Sequence, residues 1–358
     1  MTTSAPSSLS DKNSSSSHPT SIHYASPFAT YHQHHSDDNH TDDINPQASQ
    51  WKASETGMVI LNSPIVSSMI APRTGSTKNP IFEQLWNQSS FHICADGGAN
   101  RLYEYSQQQQ RQQRQQQQRQ NQQQDTPAAA PLFLPQLITG DLDSLQPHVR
   151  QYYEQHQVPI VRKEDQNYND LDKSLKALLE LNTRNNPKKT NIINAHFQAC
   201  FIYGAFGGRF DQEMASLQAL FVHSHAFPKG LWLCDHANVA VLLQPNQLHV
   251  FDLQTPRPCP QEGKQQESSS STTNDDLVVR LGPTCGLIPI GAPCPSVTTT
   301  GLQWNLDQDA LAFGGLVSSS NCIVEEAVTI RTLHEPLLFS MEITTTSSST
   351  TAADNEGV

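Results

Sequence analysis

The stretch FHICADGGANRLY, residues 91–103, predicts a buried strand that passes through a tight turn into a helix. Its first five residues are mostly apolar, as in a strand covered on both faces. Asp96 and two glycines end the strand, and helix formers follow. Such a turn leaves backbone N–H groups and the positive end of a helix dipole open to an anion. On local grounds, Gly97 and Gly98 are equally well explained by the strained backbone of the turn alone.

Apolar runs and helical patterns alternate on both sides of this stretch. Further runs that suit buried strands lie at 58–61, 132–138, 158–161, 200–203 and 231–234. The clearest helix begins near Asn169, because leucines recur at helical spacing from Leu171 to Leu179. Such alternation is typical of a parallel sheet with helices on both faces. We therefore expect a doubly wound, mostly parallel α/β sheet domain at residues 56–235.

After Asp235 the pattern changes to short strands without helices. Their spacing, and the turn residues between them, are typical of an antiparallel β-sandwich. We expect this second domain at residues 236–343. The predicted fold class is thus an α/β domain followed by an all-β domain.

Four segments are too polar to belong to either core. They are a Ser- and His-rich tail at 1–55, a Gln-rich insertion at 107–127, a loop at 254–276 and a second tail at 344–358. Their few apolar residues cannot offset the entropy cost of ordering the chain. We expect the tails and the 254–276 loop to be disordered, and the Gln-rich insertion to be a surface spacer between a helix and the next strand.

Composition argues against several classes of protein. The chain has 358 residues and a net charge of −12, which disfavours a general nucleic-acid surface, and it has no apolar run long enough to span a membrane. Seven scattered cysteines without a CxxC pair support neither a zinc knuckle nor a disulfide framework. The first residues lack the apolar region of a signal peptide and any arginine before Arg73. We therefore expect a cytoplasmic protein without nucleic-acid or membrane partners.

Carboxylates mark two places where a cation could bind. If the backbone stays extended after Gly140, Asp141 and Asp143 point the same way and offer oxygens to one divalent ion. An acidic turn after a strand is the simpler interpretation of this motif alone. Asp170 and Lys173 lie three apart in the first turn of a predicted helix, so they either hold a cation and a phosphate jointly or form an ordinary surface pair.

Two further motifs suit phosphate and aromatic ligands. The glycine-rich turn GAFGGRFDQ at 204–212 opens a helix, and its N–H groups and the guanidinium of Arg209 suit phosphate oxygens. A glycine turn with a surface arginine is the alternative. In the β half, Trp304 stands among polar residues and is either a core residue or a face on which a flat heteroaromatic cation stacks. Small hydrogen-bonding residues are concentrated nearby at 317–321.

Six motifs follow one another along the chain: ADGGANRLY at 95–103, GDLDSL at 140–145, DQNYNDLDK at 165–173, GGRFDQ at 207–212, TTTGLQWNL at 298–306 and VSSSN at 317–321. Together they resemble the thiamine pyrophosphokinase (thiamine diphosphokinase) family, over most of residues 56–343. Six collinear motifs are very improbable by chance. The resemblance implies transfer of a diphosphate from ATP to the hydroxyl of thiamine, which gives thiamine diphosphate and AMP and requires Mg²⁺.

The same resemblance implies roles for individual residues. The metal ligands would be Asp96, Asp141, Asp143 and Asp170, and the catalytic residues Asp141, Asp143, Asp170 and Lys173. ATP would be bound by Asp96, Gly97, Gly98, Asn100, Gly207, Gly208, Arg209 and Asp211. Thiamine would be bound by Gln166, Trp304, Ser318, Ser320 and Asn321. The family's site lies at a dimer interface, so we expect a homodimer in which Trp304 serves either its own chain or the partner.

Three positions depart from the family pattern. Threonine is usual at the positions of Asn169 and Ser319, and lysine is common at that of Gln303. Asn and Ser keep hydrogen-bonding ability, whereas Gln303 loses a charge. One alternative function is a non-catalytic thiamine or nucleotide sensor with the same fold, against which the intact carboxylates argue. The other is a kinase that moves one phosphate to a different alcohol and leaves ADP.

Overall fold

The computed structural model describes residues 21–28, 52–66, 78–120, 132–183, 196–253 and 277–347. The strands in that part of the chain are β1 (Ser21–Ala25), β2 (Thr56–Ile60), β3 (Phe91–Ala95), β4 (Leu137–Gly140), β5 (Ile160–Arg162), β6 (Ala199–Tyr203), β7 (Leu231–Cys234), β8 (Asn238–Leu243), β9 (Leu248–Asp252), β10 (Leu277–Ile288), β11 (Cys294–Thr300), β12 (Asp309–Leu311), β13 (Ser318–Cys322), β14 (Ala327–Leu333) and β15 (Leu337–Ser347). The α-helices are α1 (Pro80–Asn87), α2 (Gly98–Gln120), α3 (Pro147–Gln155), α4 (Asp170–Thr183) and α5 (Phe210–His223).

Ten strands form one continuous sheet in the order β13-β10-β15-β8-β7-β6-β2-β3-β4-β5. The strands from β7 to β5 in that order pair in parallel. β7 pairs antiparallel with β8, and the other pairs beyond it are antiparallel as well. The predicted α/β and β parts are both present, but they share this sheet because β8 continues directly from the parallel strands.

Helices cover both faces of the parallel half. Phe82 of α1 and Tyr153 of α3 belong to one hydrophobic core, and Leu175 of α4 belongs to another. Successive residues of β2 reach the two cores, with Met58 in the first and Val59 in the second. Side chains alternate between the faces of a strand, so a strand buried on both faces needs a continuous apolar run. The doubly wound arrangement is confirmed.

A second sheet, in the order β1-β9-β14-β11-β12, packs against the antiparallel half of the first. Between ring centroids, Phe251 of β9 lies 4.9 Å from Phe339 of β15 and 6.4 Å from Trp232 of β7. These aromatic contacts join the two sheets across a common core. The sandwich predicted for the C-terminal half is therefore present, and one of its two layers is the antiparallel half of the ten-stranded sheet.

Strand β1 lies within the tail predicted to be disordered, and that prediction is wrong for residues 21–28 and for Ala53–Glu55, which form a short 3-10 helix. The strand pairs in parallel with β9. Tyr24 is buried, its ring stacks on Phe251 at 4.6 Å, and its hydroxyl lies 3.1 Å from Nδ1 of His249. Two aromatic residues, Tyr24 and Phe28, bury enough apolar surface to order a segment whose average composition is polar. The rest of the tail up to residue 51 lies outside the described residues.

Helix α2 runs into the Gln-rich insertion instead of ending before it. Gln109 and Gln110 are buried on the helix face that also carries Leu102 and Tyr105. Glutamine has a good helix propensity, so the tract can prolong a helix that is already nucleated. Residues 121–131 and the predicted loop at 254–276 lie outside the described residues. Among the helices that the structure describes, none is long and apolar enough to cross a membrane.

The predicted C-terminal tail begins later than expected. Residues 344–347 belong to β15, where Ser347 pairs with Leu277 of β10. Thr and Ser can extend a strand as long as a neighbouring strand supplies backbone partners. The residues beyond 347 lie outside the described part.

Candidate active site

A cleft of about 770 Å³ lies at the carboxyl ends of the parallel strands. Its walls are the segments that follow β2, β3, β4, β5, β6 and β7, together with the first turns of α4 and α5. Within the described residues, all lining positions fall between Leu61 and His236. Open α/β sheets bind ligands at this edge because strand ends and helix N-termini meet there.

Three carboxylates converge at one end of this cleft. Asp96 follows β3, Asp141 follows β4 and Asp170 begins α4, and each offers an oxygen within 4.8 Å of the others. The backbone N–H of Asp141 donates to Oδ1 of Asp170 at 3.1 Å. Residues far apart in sequence are thus brought together because parallel strands end at the same edge.

Lys173 lies between two of these carboxylates. Its Nζ is 3.2 Å from Oδ1 of Asp170 and 3.8 Å from Oδ2 of Asp141. Only 4% of its side chain is exposed. Asp170 and Lys173, which lie three residues apart in the sequence, therefore form an ion pair with a buried lysine and not an ordinary surface pair. A single lysine leaves the three carboxylates with excess negative charge.

In this cluster, Asp96 is a carboxylate whose charged form is disfavoured. It is buried, and its Oδ1 has no hydrogen-bond partner among the residues that the structure describes, whereas its Oδ2 accepts the N–H of Ser144 at 3.1 Å. Burial raises the pKa of Asp96 and the charge of Asp170 adds to the rise, while hydrogen bonds from Ser144 oppose it. A buried carboxylate oxygen without a donor is costly unless a cation compensates for it.

Gly140 makes room for the cluster. A Cβ at this position would lie 2.9 Å from Oδ1 of Asp170 and 2.9 Å from Cβ of Asp96, and its φ of +150° is rarely adopted by residues with a side chain. The sequence interpretation treated Gly140 only as the end of the strand. The signal was present, since a glycine directly precedes the acidic pair.

Asp143 does not join the three converging carboxylates. Leu142 has a φ of +62°, so the backbone turns between the two aspartates, and the expectation of an extended backbone there is wrong. The side chain of Asp143 accepts from Oγ of Ser144 at 2.9 Å, and its N–H donates to Oδ1 of Asp141 at 3.3 Å. It still lines the cleft, so it can reach a bound substrate.

The residues of the motif at 95–103 that were predicted to bind ATP differ in whether they line the cleft. Gly97 lines the cleft. A Cβ on Gly98 would lie 2.2 Å from the carbonyl oxygen of Ile60, so glycine is needed there for close packing. The amide of Asn100 is buried, donates to the carbonyl of Ser144 at 2.8 Å and accepts the N–H of Gln146 at 3.1 Å. Asn100 thus holds the loop after β4 and is not among the residues that line the cleft.

The glycine loop, residues 204–209, follows β6, which β2 separates from β3 and β4 in the sheet, so the loop forms the other end of the cleft. Gly207 and Gly208 have φ values of +79° and +84°, and no atom lies within 4 Å of a Cβ built on either. Arg209 is exposed and pairs with Asp211, with 3.1 Å between Nε and Oδ1. This pairing raises the pKa of Arg209 and lowers that of Asp211. Arg209 lines the cleft, whereas Asp211 is not among the lining residues.

The residues predicted to bind thiamine occupy two separate places. Gln166 lines the cleft. In the β half, the side-chain amide of Asn321 accepts the N–H of Trp304 at 3.2 Å and donates to the Trp304 carbonyl at 2.8 Å. It also donates to Oγ of Ser318 at 3.1 Å. Ser320 follows on the same strand with a φ of +57°. The Trp304 side chain is 59% exposed, so it is not a core residue.

Comparisons with known proteins match both halves of the chain. The family model described as thiamin pyrophosphokinase, catalytic domain, matches residues 82–228, and the one described as thiamin pyrophosphokinase, vitamin B1 binding domain, matches residues 272–337. Thiamine pyrophosphokinase 3 of Oryza sativa subsp. japonica is 33% identical over 248 residues, which are 69% of this chain and 76% of that protein. Thiamine pyrophosphokinase 1 of Arabidopsis thaliana is 28% identical over 247 residues, again 69% and 76%.

Solved structures agree on the fold. Thiamin pyrophosphokinase from Candida albicans superposes with a TM-score of 0.58 at 23% identity, and the match covers 92% of this chain and 95% of that one. The yeast thiamin pyrophosphokinase gives a TM-score of 0.56 at 23% identity over 81% and 86% of the two chains. With the sequence matches to both domains, these findings show that the chain belongs to the thiamine pyrophosphokinase family.

Proposed function

We propose that this thiamine diphosphokinase takes ATP as donor and Mg²⁺ as cofactor, and that it forms thiamine diphosphate and AMP. The observation that carries the proposal is the convergence of Asp96, Asp141 and Asp170 beside Lys173 in a cleft at the carboxyl edge of the sheet. Nucleotide phosphates with a divalent cation match a site that combines excess carboxylate charge and one buried ammonium.

The donor set fits Mg²⁺. All three converging groups are carboxylates, which are the hard oxygen ligands that this ion prefers, and few protein ligands leave room for phosphate oxygens and water. The partnerless Oδ1 of Asp96 and the space kept free by Gly140 point to the same conclusion. A bound Mg²⁺ would neutralise charge on the phosphates during transfer. We propose Asp96, Asp141 and Asp170 as its ligands, with Asp143 as a carboxylate that acts from the cleft wall.

The chain's own cations stabilise the negative charge that develops as AMP departs. Lys173 is fixed by two aspartates and is already positioned, so it needs no rearrangement to contact a phosphoryl oxygen. Arg209 brings a planar fork from the other side of the cleft. Asp143 or Asp170 could accept the proton of the thiamine hydroxyl, although a loose transition state needs little help from a base.

For the rest of ATP, we propose contacts with Gly97 and with the loop at 207–209. Gly98 and Asn100 contribute indirectly, because one permits close packing beside Gly97 and the other holds the loop that carries the aspartates. Asp211 acts through Arg209, with which it is paired.

For thiamine, we propose that Trp304 stacks on the heteroaromatic cation, with Ser318, Ser320 and Asn321 beside it and Gln166 at the cleft. An exposed tryptophan with a fixed backbone is suited to stacking on a cation. Because Trp304 is not among the residues that line the cleft, we further propose a homodimer in which the Trp304 surface of one chain completes the cleft of its partner. A cytoplasmic location stays a prediction of the sequence.

Product analysis tests the reaction. Purified protein with ATP, Mg²⁺ and thiamine should release AMP and thiamine diphosphate in equal amounts, and omission of thiamine should abolish AMP release. Formation of ADP would instead indicate transfer of a single phosphate. Thiamine binding without any nucleotide product would contradict the ATP-dependent reaction.

A further inference from the structure

The glycine loop already binds a side-chain carboxylate of its own chain. The backbone N–H of Gly207, a residue of the loop that lines the cleft, donates to Oε1 of Glu213 at 2.5 Å. Glu213 lies on the first turns of α5, and both residues line the cleft. A carboxylate therefore occupies a donor that suits a phosphate oxygen.

The guanidinium of Arg209, close to Gly207 in the loop, is also paired with a carboxylate of the chain. Arg209 directs its guanidinium at Asp211, two residues further on, through two hydrogen bonds. Both the N–H donor and the guanidinium of this end of the cleft are thus matched by carboxylates from α5. At the other end, Oδ1 of Asp96 has no hydrogen-bond partner within the described part of the chain.

We propose that Glu213 is an internal competitor for the phosphates of ATP and thereby sets the nucleotide affinity of this site. The inference rests on the proposed use of ATP as donor. When the nucleotide enters, the Glu213 carboxylate leaves the N–H of Gly207, and a phosphate oxygen takes its place. No bond is formed or broken in the exchange apart from hydrogen bonds.

The local structure permits this exchange. Gly207 and Gly208 have open space where side chains would be, and Phe210 at the start of α5 is 71% exposed. Ala205 and Phe206 anchor the loop in the core, whereas residues 207–212 are exposed. The Glu213 side chain can therefore rotate away without disturbing the fold. An exposed hydrogen bond to a carboxylate is also weak enough for a more highly charged anion to displace it.

A capping role makes the opposite prediction. A glutamate near the start of a helix can bond a preceding N–H and fix the entry of the chain into the helix. If Glu213 only preorganises the loop, its removal loosens the loop and weakens ATP binding. If it competes, its removal strengthens binding. The sign of the change in affinity therefore separates the two roles.

The test is calorimetric titration of full-length wild-type, Glu213→Ala and Glu213→Gln proteins with α,β-methylene ATP in Mg²⁺. Since one weakly held carboxylate is removed, we expect Glu213→Ala to bind roughly three- to tenfold more tightly, with a similar fall in KM for ATP. Glu213→Gln keeps an oxygen for Gly207 but loses the charge, so its affinity should lie between the two. Glu154→Gln makes the same charge change on α3, away from the cleft, and should bind as the wild type does.

Equal or weaker binding by Glu213→Ala would overturn the inference, as would Glu213→Gln binding more weakly than wild type. Equal tightening by Glu154→Gln would also overturn it, because a general effect of net charge would then explain the result. Thermal unfolding of each variant verifies that it is folded. Failure of the wild type to form AMP would reject the proposed reaction separately, and the titrations would still decide whether Glu213 competes with the nucleotide.

Discussion

The two ends of the cleft hold their charges in different ways. At the acidic end, Asp96 and Lys173 are buried, and every converging carboxylate comes from a different segment of the chain. At the glycine-loop end, Arg209 and Glu213 meet partners only a few residues away in sequence, and Arg209 is exposed. One end is fixed by the fold, and the other is held by local contacts that can be exchanged.

The difference teaches which groups can be preorganised. Buried charges are expensive unless their partners are fixed, so we expect the acidic end to keep one arrangement with and without a bound substrate. Exposed charges gain little from one another and can change partners at small cost. We therefore expect substitutions at the acidic end to change turnover, and substitutions at the glycine-loop end to change mainly nucleotide binding.

The largest effect should come from Asp170→Asn at the acidic end. The variant loses one carboxylate of the converging set and the ion pair with Lys173, while its amide oxygen can still accept the N–H of Asp141. Because charge stabilisation in the transition state is lost, kcat should fall by about 10²- to 10⁴-fold. Steady-state assay of AMP formation measures this.

Asp165→Asn is the matched control for that substitution, since Asp165 is exposed on the preceding loop and is not among the lining residues. It should keep near-normal turnover. A second readout is the rise in melting temperature on addition of Mg²⁺, which should be smaller for Asp170→Asn than for wild type. Unchanged kcat in Asp170→Asn would show that the acidic end is not the catalytic end.

A smaller effect, mainly on KM, should follow from Arg209→Ala at the glycine-loop end. Arg209 is exposed and free of core contacts, so its removal should leave the fold intact but take away one phosphate partner. We expect KM for ATP to rise about tenfold, with a lesser change in kcat. A kcat loss as large as that of Asp170→Asn, at unchanged KM, would break the contrast between the two ends.

The smallest effect is on stability and concerns Asp96. Its raised pKa means that folding favours the neutral carboxyl, so the contribution to stability is complete below the ordinary aspartate pKa of about 4 and is lost as pH rises through the raised value. Without Mg²⁺, the wild type should therefore become less stable as the pH rises through the raised pKa of Asp96.

Asp96→Asn should remove this loss and raise the melting temperature at neutral pH by a few degrees, although activity should be lost. Thermal unfolding in EDTA across pH measures the difference. Addition of Mg²⁺ should stabilise wild type more than Asp96→Asn. A variant less stable than wild type at neutral pH in EDTA would show that Asp96 stabilises the fold as a carboxylate.

Much of the fold was predictable because it follows from local patterns of apolar and polar residues. The apolar run before Asp96 and the helical leucines after Asn169 are both buried as expected. The order of segment 21–28 was not predictable from average composition, because it depends on Tyr24 finding Phe251 and His249 in distant parts of the chain. The continuity of the two domains through β7 and β8 was missed for another reason: a change from alternating strands and helices to strands alone does not show whether the next strand joins the same sheet.

By itself, the sequence determined the alternation of strands and helices, the change to β structure after residue 235 and the identity of the charged residues at the strand ends. Periodicity and turn residues are local properties, so they can be read without a structure. Tertiary structure alone decided that Asp96, Asp141 and Asp170 converge while Asp143 stays outside that set of three, that Gly140 keeps their space free and that Glu213 occupies the glycine loop. The physical reason is that distances between side chains depend on how strands are ordered in the sheet and on single backbone angles such as that of Leu142.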